Sequence, residues 1–353
     1  MTRSAVWWSA TDEHVASLSA DTTPEGAGRF AADLARVWPE GAVVGEREGA
    51  SPQAGLLGLA VSGGPDSLAL LLLAHAALPG RVEAATVDHG LRPESAAEAE
   101  GVARICDRLG VRHATLSVSV QVDEGSLQSA ARDARYAALA GWMETRSLAA
   151  LATAHHADDQ AETLLMRLNR ASGVAGLAGV RDRGAVPMAG GTQPALLLRP
   201  LLGWRRSELA GIVAASGIAA VDDPSNADDR FDRARLRGQM AGAPWLDIAA
   251  IARSAAHLAD ADAALVWAAE REWREAVEKD GLGLTYRPRG PRAIALRVLA
   301  RIVETLDGEA PRGAAVARLF DSLLARQPAS IGGLVARPLA GGWSFVKAPK
   351  RRG

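Results

Sequence analysis

Four stretches of this chain carry side chains whose types and spacing suit chemistry on a phosphorylated substrate. The first is Ser62-Gly63-Gly64-Pro65-Asp66-Ser67, set between an apolar run (56–61) and an apolar helical pattern (68–73). Two glycines let the backbone approach a ligand closely, and Pro65 suits a first helical turn. Free N–H groups and the helix dipole then favour an anion, phosphate foremost. No Gly-Lys-Ser/Thr follows, so this is not a Walker A loop. Read alone, the stretch is equally a tight strand-to-helix turn.

The second stretch is Thr153-Ala154-His155-His156-Ala157-Asp158-Asp159-Gln160-Ala161-Glu162-Thr163. Asp159 and Glu162 are three apart and share one helix face, an arrangement able to hold Mg²⁺ beside a polyphosphate. The plainer reading makes Asp158 the N-cap, with acids in the first turn suiting the dipole. The histidine pair calls to mind a transition metal, but the spacing supplies too few convergent ligands. Third, Gln128-Ser129-Ala130-Ala131-Arg132-Asp133-Ala134-Arg135-Tyr136 sets Arg132, Arg135 and Tyr136 on adjacent turns, either facing a phosphate or forming a solvated face. Fourth, 221–237 passes from a turn-rich acidic loop (Asp222, Asp223, Asp228, Asp229) into Arg230, Arg233, Arg235 and Arg237. On a helix Arg230, Arg233 and Arg237 fall on one side, as an RNA-backbone contact or as arginines neutralised by those acids.

The elements that must position these residues alternate. Strands are expected at 56–61, 81–87, 113–120, 149–154 and 196–198, with helices at 66–78, 95–109, 126–146, 158–170 and 207–216. The order implies an α/β fold, a parallel sheet with helices on both faces, whose ligands lie beyond the carboxyl ends of the strands. There lie Ser62–Gly64, Asp88-His89 and His155-His156. Residues 1–52 read as a partly helical extension, with a helix at 30–37 and loop at 39–51. Trp7 and Trp8 are either a docking patch or part of a loose tail. Residues 53–241 read as the nucleotide-binding domain. Beyond Ala241-Gly242-Ala243-Pro244 the pattern is mainly helical (245–278, 293–306, 314–324), with a terminal hairpin at 332–346.

Composition narrows the classes. The chain has 353 residues, 48% hydrophobic and 23% charged, with a net charge of -1, which describes an ordinary globular protein and not a basic nucleic-acid coat. Its only lysines are Lys279, Lys347 and Lys350, so any phosphate grip is arginine-based. Cys106 is the one cysteine, which rules out an intrachain disulfide and paired-cysteine sulfur chemistry. No signal peptide or membrane span is expected, and the reading is a cytoplasmic protein.

Taken together, the motifs resemble one family. Ser62–Ser67 is similar to the PP-loop of N-type ATP pyrophosphatases. Val87-Asp88-His89-Gly90-Leu91-Arg92, Ala131-Arg132-Asp133-Ala134-Arg135-Tyr136, the 155–163 stretch, Arg170-Ala171-Ser172-Gly173-Val174-Ala175-Gly176-Leu177, Arg199-Pro200-Leu201-Leu202 and Asp223-Pro224-Ser225-Asn226 with its arginines resemble the tRNA(Ile)-lysidine synthases in particular. The resemblance runs from about 57 to 237, and the later helices match that family's linker domain in outline only.

The resemblance implies a carbon–nitrogen ligase. ATP activates the C2 oxygen of the wobble cytidine in an isoleucine tRNA with a CAU anticodon, and free L-lysine then displaces AMP. The co-substrates implied are ATP with Mg²⁺, and the partners are that tRNA and lysine, with no membrane. By the same resemblance Ser62, Gly63, Gly64, Pro65 and Ser67 cradle the ATP phosphates. Asp66 is either an Mg²⁺ ligand or the acceptor of the lysine ammonium. His89 and His155 lie at the nucleotide, Asp159 and Glu162 are lysine-binding or catalytic acids, and Arg132 and Arg199 stabilise phosphoryl charge. Arg230, Arg233, Arg235 and Arg237 contact the tRNA. Ala171 and Ala234 depart from the family's usual residues, and 331–353 is too short for the further acceptor-stem domain of many members. The rival readings are a PP-loop tRNA thiolase, an amidating ligase for a small molecule, and a non-catalytic ATP-binding regulator.

Overall fold

The computed structural model describes residues 26–43, 55–90, 95–118, 127–186, 188, 194–221, 232–281 and 283–348. Trp7, Trp8, Leu91, Arg92 and the 222–231 segment with Arg230 lie outside them. The chain divides into two compact units, Met1–Ala256 and His257–Gly353.

The first unit is built on a six-stranded sheet of order β3-β2-β1-β4-β6-β5. Its strands are β1 (Leu57–Ala60), β2 (Val82–Asp88), β3 (Arg112–Ser117), β4 (Ala150–Ala152), β5 (Arg183–Val186) and β6 (Ala195–Leu198). Leu57 pairs with both Val82 and Ala150, so β1 is central and parallel to both neighbours. The expected parallel sheet is present, and one strand escaped the sequence reading: β5 runs antiparallel on the β6 edge. Its Arg-Gly-Ala-Val sequence has too little alternation to announce a strand.

Helix α1 (Ala27–Val37) is followed by a short α2 (Pro39–Val43), where a loop was expected. Then come α3 (Pro65–Ala77), α4 (Ser95–Arg108), α5 (Leu127–Arg146), α6 (Ala157–Leu168), α7 (Val174–Leu177), α8 (Arg206–Ala215) and α9 (Asp232–Ala241). Leu68 through Ala74 of α3 are all buried, as befits a helix apolar on every side. One core joins α1, α3, α4 and α8 to the Leu57, Leu59 and Ala84 face, and it includes Phe30, Leu34 and Trp38 near the start of the described chain. A second core, on the other face, joins Leu139, Trp142 and Met143 of α5 to Leu151 and Leu197. Period-2 alternation along the strands separates the two. Gly58 makes room for that packing, because a Cβ there would come within 2.9 Å of Trp142 and Leu148. Cys106 is fully buried, and burial raises its thiol pKa to about 12, consistent with a core residue and not a nucleophile.

Helix α10 (Ile248–Ala276) continues into the second unit. That unit adds α11 (Arg292–Asp307), α12 (Gly313–Leu324) and strands β7 (Val277–Asp280), β8 (Gly283–Tyr286), β9 (Ala329–Ile331), β10 (Leu334–Leu339) and β11 (Gly342–Lys347). The expected terminal hairpin is β10–β11, and it is part of a five-stranded sheet of order β7-β8-β11-β10-β9. Tyr286, Phe320 and Trp343 meet edge to face in its core. Buried Glu272 accepts hydrogen bonds from the Tyr286 hydroxyl and from the Arg289 and Gly290 amides, fixing the turn that precedes α11.

Candidate active site

Because β1, β2, β4 and β6 are parallel, their carboxyl ends share one edge of the sheet. Ser62–Gly64 follows β1, His89 follows β2, Thr153–His156 follows β4 and Arg199 follows β6. Such an edge is where open α/β sheets bind ligands.

The turn after β1 is held by Ser67. Its Oγ accepts the Ser62 amide at 3.1 Å and donates to the Gly64 carbonyl at 2.9 Å. Gly63 sits at φ +86°, and a Cβ there would lie 3.1 Å from Val221 and 3.2 Å from Val102. Val221 also donates its amide to the Gly63 carbonyl at 2.9 Å. A left-handed backbone wedged between two valines admits only glycine without strain. Gly63→Val is therefore expected to raise the KM for ATP about tenfold or more through displacement of the turn. Nucleotide titration checks this, and an unchanged KM would exclude the turn from ATP binding.

Asp66 lies in the first turn of α3. One carboxylate oxygen, Oδ2, is 3.4 Å from His156 Nε2, while Oδ1 is buried without a hydrogen bond. His156 is the hub of an acid cluster, with Asp159 and Asp158 carboxylates each 3.7 Å from its ring nitrogens. Burial disfavours its charged form, but the hydrogen bond to Asp66 and the Asp159, Asp66 and Asp158 charges outweigh this and hold its pKa above the ordinary histidine value.

His156 also corrects the capping expectation. It is the N-cap of α6, Asp159 is N3, and the Asp159 carboxylate accepts the His156 amide at 3.1 Å. Asp158 lies two residues past the N-cap, at N2, too far into the helix to cap it. Instead it receives the Arg205 guanidinium at 3.2 Å and the Arg206 amide at 2.9 Å, tying α6 to α8.

On the other side of the edge the charge is positive. Arg132 and Arg135 both lie over the Tyr136 ring, 5.0 and 5.4 Å from its centroid. The Arg199 guanidinium is buried, donates to the Arg181 carbonyl at 2.6 Å, and rests on Gly184, where a Cβ would be 3.2 Å from it. Burial, assisted by the Arg132 charge, lowers the Arg199 pKa, although Tyr136 and Asp182 oppose that shift. Burial and the Arg199, Arg135 and Arg132 charges push His155 down to about 4, against Asp159. His155 is thus neutral at physiological pH, with Nδ1 3.0 Å from the Thr153 hydroxyl. Burial and Arg135 likewise depress His89, whose Nδ1 is buried without a hydrogen bond. Cations gathered at a partly buried edge have the charge and donors that phosphoryl oxygens require.

Glu162 stands apart from the other acids. It is 1% exposed, and Arg237 of α9 holds both its oxygens, at 2.7 and 3.3 Å. Arg233 lies 3.5 Å from the same carboxylate and donates to the Thr163 hydroxyl at 3.0 Å. Two of the arginines expected on RNA thus pair within this unit with the acid helix, while Arg235 is exposed. Sequence reasoning missed His156 as a hub, Arg135 as a neighbour of both His89 and His155, and Gly184 as the seat of Arg199. The doubled histidine and the Arg132–Arg135 stripe carried a signal in the sequence, whereas Gly184 carried none.

The sheet, the Ser62–Ser67 turn and the charged edge define the class. A family model described as the PP-loop domain matches residues 46–243, and the chain carries an ATP-using PP-loop domain. Its similarity to known enzymes extends well beyond that domain. It is 47% identical to the tRNA(Ile)-lysidine synthase of Novosphingobium aromaticivorans over 92% of this chain and 95% of that one. The enzyme of the same name from Zymomonas mobilis is 42% identical, with 86% and 91% covered. That from Methylobacterium nodulans is 44% identical, with 85% and 92% covered. Among solved structures, a U34-tRNA thiolase from Methanococcus maripaludis aligns over 64% of this chain and 78% of its own, at TM-score 0.47 and 13% identity. The chain belongs to the tRNA(Ile)-lysidine synthase family.

Proposed function

We propose that the enzyme ligates L-lysine to C2 of the wobble cytidine of the CAU-anticodon isoleucine tRNA, in two steps at this sheet edge. In the first, the cytidine C2 oxygen attacks the α-phosphorus of ATP, an O–P bond forms, and pyrophosphate leaves. In the second, the ε-amine of lysine adds to C2, the C2–O bond breaks, AMP leaves, and the amine gives up a proton. Adenylation is what makes an amide-like oxygen a good leaving group.

The observation that carries the reading is the division of the edge into an acid cluster around His156 and a cation cluster around Arg199. The cations face the charge that builds on phosphoryl oxygens in both steps. The acids suit an ammonium: Asp66 has one buried oxygen without a hydrogen bond, and Asp159 stands beside it in the electrostatics of His156. Ser62, Gly63, Gly64 and Ser67 with the α3 N-terminus hold the leaving pyrophosphate. His155 and His89, kept neutral, line the nucleotide.

The Asp66 oxygen also fits Mg²⁺, which needs only one or two carboxylates beside substrate phosphates. There the ion would shield phosphate charge. Residues 53–241 act as the catalytic domain and 242–353 as a tRNA-binding linker domain. A tRNA substrate with ATP and free lysine suits a cytoplasmic enzyme, and no helix among the described residues is long and apolar enough to cross a membrane.

Supplying ATP labelled at the α-phosphate and isoleucine tRNA, without lysine, tests the first step. Label is expected in the RNA, only with cytidine at the wobble position, and is expected to leave as AMP when lysine is added. Label transfer to a wobble-uridine transcript, or none to either, would overturn the two-step reading.

A further inference from the structure

Glu162 is the most enclosed carboxylate of the edge, and both its oxygens are taken by arginines. Asp66, in contrast, keeps an oxygen without a hydrogen bond. The three acids are therefore not equivalent. Two lie around His156, while Glu162 is engaged by a helix from another part of the chain. Its bidentate partner, Arg237, also feels the Asp159 and Asp66 charges. The hydrogen bond to Glu162 and those charges raise its pKa further, although burial opposes them.

We infer that Arg237 is a positioning residue for the lysine step: its fork on Glu162 fixes α9 against α6 and sets the place and charge of the acid cluster, and it is not a contact to the tRNA backbone. This rests on the proposed function, in which those acids receive lysine. A buried carboxylate held by a planar fork has one allowed geometry. Freeing Arg237 for an RNA phosphate leaves Glu162 to Arg233 alone, an outcome the bidentate geometry resists. Arg233, half exposed and bonded to Thr163, supports the same clamp from the side. Because Arg237 carries charge to Asp159 and Asp66 as well as to Glu162, its loss reaches lysine through the cluster and leaves the cations at Arg199 in place.

The test is steady-state and single-turnover kinetics on the full-length chain with Arg237→Gln and Arg237→Lys. Arg237→Gln is expected to raise the KM for lysine about tenfold or more. Adenylation of tRNA without lysine, the KM for ATP, and the salt slope of tRNA binding are expected to stay at wild-type values. Arg237→Lys restores the charge but not the fork, so partial recovery of the lysine KM is expected. An unchanged lysine KM with a salt slope lowered by about one would make Arg237 an RNA contact and overturn the inference. Equal losses in both steps, unrelieved in Arg237→Lys, would make it a fold residue only and overturn it too. If Arg237→Gln does not fold, Arg237→Lys alone decides, because a lysine KM identical to wild type contradicts a role for the fork. Absence of lysidine from the wild-type reaction would instead refute the proposed function, so the two failures are distinguishable.

Discussion

Asp66→Asn is expected to lower lysidine formation about a thousandfold or more while leaving the fold in place. Asparagine keeps the volume and one oxygen toward His156 Nε2, now 3.4 Å from the Asp66 carboxylate. The charge is lost, and with it the buried oxygen that bears no hydrogen bond. Whether that oxygen meets Mg²⁺ or the lysine ammonium, an amide cannot replace it, since both ligands require a negative charge. His156 also loses one of the three carboxylates that hold its pKa above the ordinary histidine value. Circular dichroism and the unfolding midpoint are the controls, because the apolar body of α3 carries its packing. Turnover within a few-fold of wild type would remove Asp66 from the chemistry.

Arg199→Met is expected to cost about a hundredfold in pyrophosphate release, and lysine concentration is not expected to recover it. The side chain is 8% exposed and lies after β6, resting on Gly184 and anchored to the Arg181 carbonyl. Its charge persists in spite of burial, an expensive arrangement unless an anion is to be met there. Methionine preserves bulk without charge, so the loss reads electrostatics and not a cavity. Arg199→Lys is expected to recover little, because the seat on Gly184 fits a planar fork. The check is a burst of pyrophosphate in single-turnover mixtures of enzyme, ATP and tRNA. A wild-type burst would place Arg199 outside the phosphoryl site.

The two experiments address the two halves of an edge that was unevenly legible in the sequence. The Ser62–Ser67 turn and the helix after it could be read directly, because glycine, proline and a run of leucines each impose a local conformation. The strand-end position of Asp88-His89 and His155-His156 followed from alternation alone. Charge partnership did not. Asp159 and Glu162 share a helix spacing, yet one faces His156 and the other Arg237, from α9. No periodicity within α6 encodes that difference, since it is set by a residue 75 positions away. Asp158 was read as a cap for a similar reason: sequence rules favour an aspartate there, and only the tertiary partner Arg205 shows it otherwise engaged. The antiparallel β5 was hidden because Arg-Gly-Ala-Val alternates too little to announce a strand, and its glycine, which lies against the Arg199 guanidinium, lowers strand propensity.

Lysine transfer is the central claim, and one measurement reaches it most directly. Enzyme, ATP, labelled L-lysine and the CAU-anticodon isoleucine tRNA are incubated together, the RNA is digested to nucleosides, and AMP and pyrophosphate are counted. The account predicts label in a lysine-modified wobble cytidine, with one AMP and one pyrophosphate released per lysine incorporated. AMP release without lysine in the RNA, or with another acceptor in its place, would contradict it.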